Sequence, residues 1–201
     1  MNQGVFVTID GPNAVGKTSV ASGVVARLRE AGHSVALTAE PTSSELGAFI
    51  RRSESNYRGR AYACLIASDR YFHLEHTIDP ALERGEVVVS ARYVESSLVL
   101  QRLDGVDLDF IWSLNAQVRI PHLSIILTAS PRTLERRLDE RLSHSRFELQ
   151  ESREQELAFY LEAGDFLSRK GFNILVLDNE AHSVPETVAR IVAEISLLLN
   201  S

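Results

Sequence analysis

Lysine is almost missing from this chain. Only Lys17 and Lys170 stand against nineteen arginines, so arginine carries nearly all of the positive charge. Cysteine is scarcer still: Cys64 is alone, which excludes an intramolecular disulfide and fits a reducing, cytoplasmic compartment. Its apolar surroundings predict a small core residue rather than a nucleophile. No run approaches the roughly 20 apolar residues of a membrane span. The N-terminus has no basic and apolar leader, so no signal peptide is expected and no membrane partner either. Basic charge is not in excess: 27 acidic residues against 21 basic give a net charge of −6. That excludes a nucleic-acid-coating role but leaves room for a local arginine-lined anion site. Repeats, low-complexity tracts and linkers are also absent, so residues 1–201 read as one domain. Its 44% hydrophobic and 24% charged content is that of a globular protein.

Against this scarcity, one lysine lies inside Gly11-Pro12-Asn13-Ala14-Val15-Gly16-Lys17-Thr18, the pattern G-x-x-x-x-G-K-T. The run Val5–Ile9 before it reads as a buried strand and residues 18–28 after it as a helix. A strand, a glycine loop and a helix in that order make a phosphate-binding loop. Gly11 and Gly16 let the backbone of residues 13–16 turn its N–H groups inward around a polyphosphate. The helix start, Lys17-Thr18-Ser19, adds the positive end of its dipole. Lys17 is suited to the β- and γ-phosphates of ATP and the Thr18 hydroxyl to Mg²⁺.

Beyond the loop, strands and helices alternate. Strands are predicted at 34–38, 87–90, 123–129 and 172–177. The 87–90 strand is apolar enough to be central. Helices are predicted at 45–52, 96–102, 108–114, from Pro131 to about 138, at 148–169, and from about Pro185 onward. A long helix at 59–84 is interrupted by Pro80 and ended by Gly85. This alternation predicts an α/β fold, a five-stranded parallel sheet with helices on both faces. Ligands then bind beyond the carboxyl ends of the strands. Chemistry-bearing segments fall there: Glu40-Pro41-Thr42 after the second strand, and Arg92-Tyr93 with Ser96, Ser97 and Gln101 after the third. Asp69-Arg70-Tyr71 lies in the long helix, and a charged stretch, residues 139–148, carries Arg141 and Arg146. The six histidines show no metal-ligand spacing, and His73 and His76 read as surface or interface residues. Trp112 and Phe110 read as core.

With these segments in this order the chain resembles the thymidylate kinase family of P-loop nucleoside monophosphate kinases, nearly end to end. The resemblance implies a P-loop NTPase fold with a short arginine-bearing lid at about 139–148. It implies ATP and a nucleotide acceptor as substrates, with Mg²⁺. The apolar surplus on the 59–84 helix, where that family pairs two subunits, implies a homodimer. Arg92 and Arg70 are suited to clamp an acceptor phosphate, because a planar guanidinium grips two oxygens at once. The loop has no arginine of its own. The lid must therefore supply one to the transferring group, with Arg141 and Arg146 as candidates and Arg137 behind them.

The departures from the family pattern cluster on the acceptor side. Its acidic loop residue falls at Asn13, its arginine before Glu-Pro at Ala39, and its aspartate before Arg-Tyr at Ala91. The aromatic ring that stacks on thymine falls at Ile66, and the tyrosine before Gln101 at Leu100. An aliphatic side chain offers no π-face, where stacking contributes roughly 1–3 kcal/mol per base. Two outcomes stand open: a specialised acceptor such as a modified nucleotide, or thymidylate held by a replacement ring from Tyr62 or Tyr71. Glu40 opens a further alternative. In deoxynucleoside kinases of this fold a glutamate at this strand end, followed by proline, deprotonates a sugar hydroxyl. Loss of carboxylates at positions 13 and 91 also leaves open a nucleotide-binding regulator without transferase activity.

Overall fold

Strand β1 (Val5–Asp10) is buried at every position because it is covered on both faces. Val5, Val7 and Ile9 enter one core with helices α1 (Lys17–Glu30) and α10 (Val184–Leu199). Phe6 enters the other. Residue alternation divides the remaining strands in the same way. Val87 and Val89 of β3 (Val87–Ala91) face the first core, and Val88 faces the second. Leu123, Ile125 and Leu127 of β4 (Leu123–Thr128) face the first, and Ile126 the second. With β2 (Val35–Ala39) and β5 (Ile174–Asp178), the strands form one parallel sheet in the order β2-β3-β1-β4-β5. The apolar run of β3 is thus interior, as expected, while β1 takes the middle. The computed structural model describes residues 4–140, 146–150 and 152–200.

The second face carries α3 (Gly59–His73), α4 (Asp79–Glu83), α5 (Val94–Leu103), α6 (Leu108–Asn115) and α9 (Arg153–Ser168). Pro80 does not break the long helix in the way the sequence implies. A π-helical turn at Leu74–Ile78 absorbs the misfit: Asp79 N–H donates to Leu74 O, and Pro80 falls in the first turn of α4. The helix expected over 148–169 is instead two, α8 (Arg146–Gln150) and α9. Ser152 caps α9 by accepting from Gln155 N at 3.1 Å, a Ser-x-x-Gln signal present in the sequence. Cys64 is exposed on α3 rather than buried in a core. His73 is fully buried rather than at the surface. Trp112 and Phe110 pack at the edge of the second core.

Helix α2 (Glu45–Ser53) follows the Glu40-Pro41-Thr42 turn and fixes it. Ser44 caps it, its hydroxyl accepting from Gly47 N at 3.1 Å. Gly47 has no side chain because there is no room for one: a Cβ there would lie 2.0 Å from Thr42 O. Gly47→Ala should therefore cost about 1–3 kcal/mol, lowering Tm by roughly 2–12 °C for a chain of this size. A thermal melt equal to that of the native chain would refute the close packing of α2 on the turn.

Candidate active site

Parallel register brings three strand ends level. Ala39 pairs with Ala91, and Ala91 with Ile9. The next residues, Glu40, Arg92 and Asp10, therefore emerge side by side at the carboxyl edge of the sheet. This is where the order of strands places a ligand crevice.

The loop after β1 is shaped by its backbone. Gly11 (φ 142°), Ala14 (φ 64°) and Gly16 (φ 105°) are left-handed or nearly so. Gly11 has no alternative, since a Cβ there would sit 2.3 Å from Leu127 O. Helix α1 begins at Lys17 with no side-chain cap and no acid in its first turn. Its first N–H groups and dipole are thus directed at the loop's concavity. Lys17 Nζ donates to the carbonyls of Gly11 (2.6 Å) and Pro12 (2.8 Å). Thr18 and Ser19 are exposed and border the cleft with Asn13, Ala14, Gly16 and Lys17. Behind the loop, Asn179 Nδ2 donates to Val15 O at 2.7 Å, and Arg137 donates to Val15 O and Asn179 O. Glu156 accepts from Asn13 N at 2.9 Å.

The buried carboxylate of Asp10 joins the loop to the rest of the site. It accepts from Gly11 N, Tyr93 N, Ser96 N, the Ser96 hydroxyl and the Tyr160 hydroxyl, all within 3.2 Å. Burial, with repulsion from Asp10, raises the Tyr160 phenol well above its ordinary pKa, so it remains a donor. Neither Asp10 nor Tyr160 stands out in the sequence as a site residue. Only the fold, which sets α9 behind the loop, reveals them.

A second network sits at the end of β2. Arg70, 1% exposed, places Nε and Nη2 at 2.9 and 2.7 Å from Glu40 Oε2. Its Nη1 donates to Asn115 Oδ1 and its Nη2 to Tyr93 O. The other Glu40 oxygen lies 3.1 Å from His73 Nδ1, and His73 Nε2 lies 2.6 Å from the Thr38 hydroxyl. The neighbouring Asp69 accepts from Thr42 N and the Thr42 hydroxyl. The Glu40–Pro41 peptide bond is cis.

Between the two networks Arg92, in the left-handed region (φ 75°), turns toward the loop. It donates to Asn13 Oδ1 at 2.7 Å and to the Ser96 hydroxyl at 3.1 Å. Burial disfavours its charge, but the surrounding Tyr160, Asp10 and Glu156 outweigh that and raise its pKa. From Arg92 a pocket extends away from the loop, bordered by Glu40, Pro41 and Arg70. Its far end is apolar, walled by Tyr62, Ile66, Leu100 and Phe147, and carries Glu54, Ser97 and Gln101. The rings of Tyr62 and Phe147 are 6.2 Å apart. Of the two replacement rings expected from the sequence, Tyr62 lines this pocket. Tyr71 does not; it packs beside the second core.

Most of the residues read from sequence therefore converge. Arg141 lies outside the described residues. Arg146 is not at the loop: its guanidinium grips both oxygens of Asp104 (2.5 and 3.2 Å) and lies over the Phe147 ring at 4.2 Å. Phe147 and Glu54 were not legible as site residues, because each arrives from an element distant in the chain.

Beneath the loop, Glu95 is fully buried beside Asp10. It accepts from the Thr8 hydroxyl at 2.7 Å through Oε1, while Oε2 has no partner among the described residues. Burial, helped by Asp10, pushes its carboxyl up to about 7. A carboxyl raised above its unfolded value keeps its proton longer in the folded chain. Folding stability then falls as pH rises from about 4.5 to about 7 and levels off above. Glu95→Gln removes this titration. The stability of the variant minus that of the native chain should grow by about 1–3 kcal/mol between pH 5 and pH 8. Denaturant melts giving a difference that does not change with pH would contradict the buried carboxyl with its raised pKa.

Comparison with known proteins agrees with this geometry. The thymidylate kinase family model matches residues 9–188. A probable thymidylate kinase of Caldivirga maquilingensis is 39% identical over 141 residues, covering 68% of this chain and 69% of its own. The thymidylate kinase of Clavibacter sepedonicus is 38% identical over 144 residues, covering 68% of each. A probable thymidylate kinase of Pyrococcus horikoshii is 39% identical over 133 residues, covering 62% of this chain and 65% of its own. A phosphate loop, an arginine beside it and a base-sized pocket beyond are what such an enzyme needs, and the chain belongs to the thymidylate kinase family of ATP-dependent nucleoside monophosphate kinases.

Proposed function

We propose that the acceptor is a pyrimidine nucleoside 5′-monophosphate, thymidylate or a related modified nucleotide, phosphorylated to its diphosphate. The observation that carries this reading is Arg92. It touches the phosphate loop at Asn13 and borders the pocket that ends between Tyr62 and Phe147. Two of its five N–H donors are used by Asn13 and Ser96, which leaves a fork for an acceptor phosphate. An oxygen of that phosphate attacks the γ-phosphorus of ATP, and the bond to ADP breaks. The acceptor is already an anion and needs no strong base. Positioning and charge neutralisation supply the rate. Lys17 moves from the loop carbonyls to the β- and γ-phosphates.

The Thr18 hydroxyl is exposed at the cleft and fits Mg²⁺, which takes few protein ligands and retains water and phosphate oxygens. In this reading Glu40 is not a base. Both of its oxygens are held by Arg70 and His73, and it orients Arg70 at the pocket wall. Of the lid arginines, Arg141 is assigned to the transferring group and Arg146 to support of the pocket wall from behind, where it holds Asp104 and lies over Phe147. The exposed face of α3, with Cys64, Ser68 and Phe72, is assigned to a second copy of the chain.

Lys17→Ala should abolish transfer with the fold retained, a loss of several kcal/mol of transition-state stabilisation. Arg92→Ala should raise acceptor KM and lower kcat while KM for ATP stays nearly constant. Steady-state kinetics with nucleosides and their monophosphates side by side decide the acceptor, and preference for the unphosphorylated nucleoside would overturn the reading. For the dimer, Phe72→Glu should give a monomer by sedimentation; a native chain that is itself monomeric would refute the assignment.

A further inference from the structure

The phosphate loop is held from behind by groups that do not border the nucleotide cleft. The Val15 carbonyl oxygen accepts two hydrogen bonds from elements far along the chain. Asn179, in the turn after β5, donates through Nδ2 at 2.7 Å. Arg137 of α7 (Pro131–Asp139) donates through Nη1 at 3.2 Å. Neither donor is loose. Asn179 is 2% exposed, and its Oδ1 accepts from the hydroxyl of the equally buried Thr187 on α10 at 2.8 Å. That bond fixes which end of the amide meets Val15. The Asn179 N–H donates to Thr128 O at the end of β4, and Arg137 Nη2 donates to Asn179 O. The amide also occupies the space that a side chain at position 16 would need, since a Cβ on Gly16 would lie 2.9 Å from Asn179 Nδ2.

A trans peptide is planar, and its carbonyl and N–H point in opposite directions. Val15–Gly16 is trans, the cis bond among the described residues being Glu40–Pro41. Drawing Val15 O back onto Asn179 and Arg137 therefore turns the Gly16 N–H forward, into the concavity bordered by Gly16, Lys17 and Thr18. Two donors on one carbonyl, one of them charged, also polarise the peptide and strengthen its N–H as a donor. Gly16, at φ 105°, offers little resistance to rotation of this peptide. The freedom that lets the loop form also lets the peptide flip, so its direction has to be set from outside the loop.

We propose that Asn179 is a positioning residue for the phosphoryl donor. Through the Val15 carbonyl it aims the Gly16 N–H at the β-phosphate of ATP, with Thr187 orienting its amide and Arg137 as the second donor. The inference rests on the reading of the loop as the ATP phosphate site. Arg137, expected from the sequence to stand behind the lid arginines, acts here from behind the loop.

The test is displacement of a fluorescent ATP analogue from the full chain, with Mg²⁺, by ADP and by AMP, which lacks the β-phosphate. Asn179→Asp keeps the shape of the side chain but sets a carboxylate oxygen against Val15 O, where the two repel. It should weaken ADP by about tenfold or more and AMP by less than about twofold, as for one lost hydrogen bond to a charged group. A variant weakened only by poorer folding loses both nucleotides by the same factor. Should Asn179→Asp fail to fold, Thr187→Val, which keeps the packing of α10 and frees the amide, should weaken ADP by about threefold with AMP again unchanged. Equal weakening of ADP and AMP, or ADP binding unmoved in whichever variant folds, overturns the proposal. Lys17→Ala tests the underlying reading separately: if it too leaves the preference for ADP over AMP unchanged, the loop is not the phosphate site and that reading fails instead.

Discussion

The site depends first on one buried carboxylate. Asp10 closes β1 and opens the phosphate loop, and it receives donors from the loop, from the β3–α5 turn and from α9. Hydrogen bonds to a charged group contribute about 1.5–3 kcal/mol each, and they are strongest where water is excluded. Five of them on one residue fix three separate chain segments. Arg92 inherits its position from this arrangement, since it lies between Ala91 at the end of β3 and Tyr93, whose N–H donates to Asp10. Its left-handed backbone is the strained element that the surrounding hydrogen bonds hold in place.

The Glu40–Arg70–His73 cluster does for the acceptor side what Asp10 does for the donor side. A buried ion pair need not stabilise a fold over an apolar alternative, but removing one partner leaves a charge stranded at a cost of about 3–5 kcal/mol. Arg70 avoids that cost through Glu40, Asn115 and the Tyr93 carbonyl together. It therefore joins α3, α6 and the β3–α5 turn at one guanidinium. The acceptor pocket has one wall made of a fully satisfied network. Its floor differs in kind, because there, among the described residues, Glu54 Oε1, Ser97 Oγ and Gln101 Oε1 are buried without partners. Rigid walls and an unfilled floor are what selection among similar ligands requires, since a loose wall would let an unsuitable base relax its mismatch.

Departures from the family pattern look different once their surroundings are known. Asn13, standing where the family has an acid, accepts from Arg92 and so still couples the loop to the acceptor side. Ile66 and Leu100 do line the pocket, while Tyr62 and Phe147 return aromatic surface from other positions. Ile66 and Leu100 thus alter the base end, while Asn13 and Ala91 alter the margin of the phosphate-loop cleft.

The strands, the helix alternation and the phosphate loop were legible in the sequence because each is a local pattern: apolar runs, helical periodicity, and glycines at fixed spacing around Lys17; the order of the strands in the sheet was not. Glu40 and Arg92 were legible because parallel register carries consecutive strand ends to one edge. The misreadings were also local in origin. Pro80 signalled a break that a π-helical turn absorbs, and the cap at Ser152 was overlooked within a periodic stretch. His73 and Cys64 have opposite surroundings because, about two and a half turns apart, they lie on opposite faces of α3. What the sequence by itself determined was the donor half of the site, since a phosphate is held by contiguous backbone and one lysine. What only the tertiary structure decided was the acceptor half. There Glu54 and Phe147 join Tyr62 and Gln101, which the sequence had named, from four separate parts of the chain, and whether their polar atoms find partners depends on packing that no single stretch of sequence encodes.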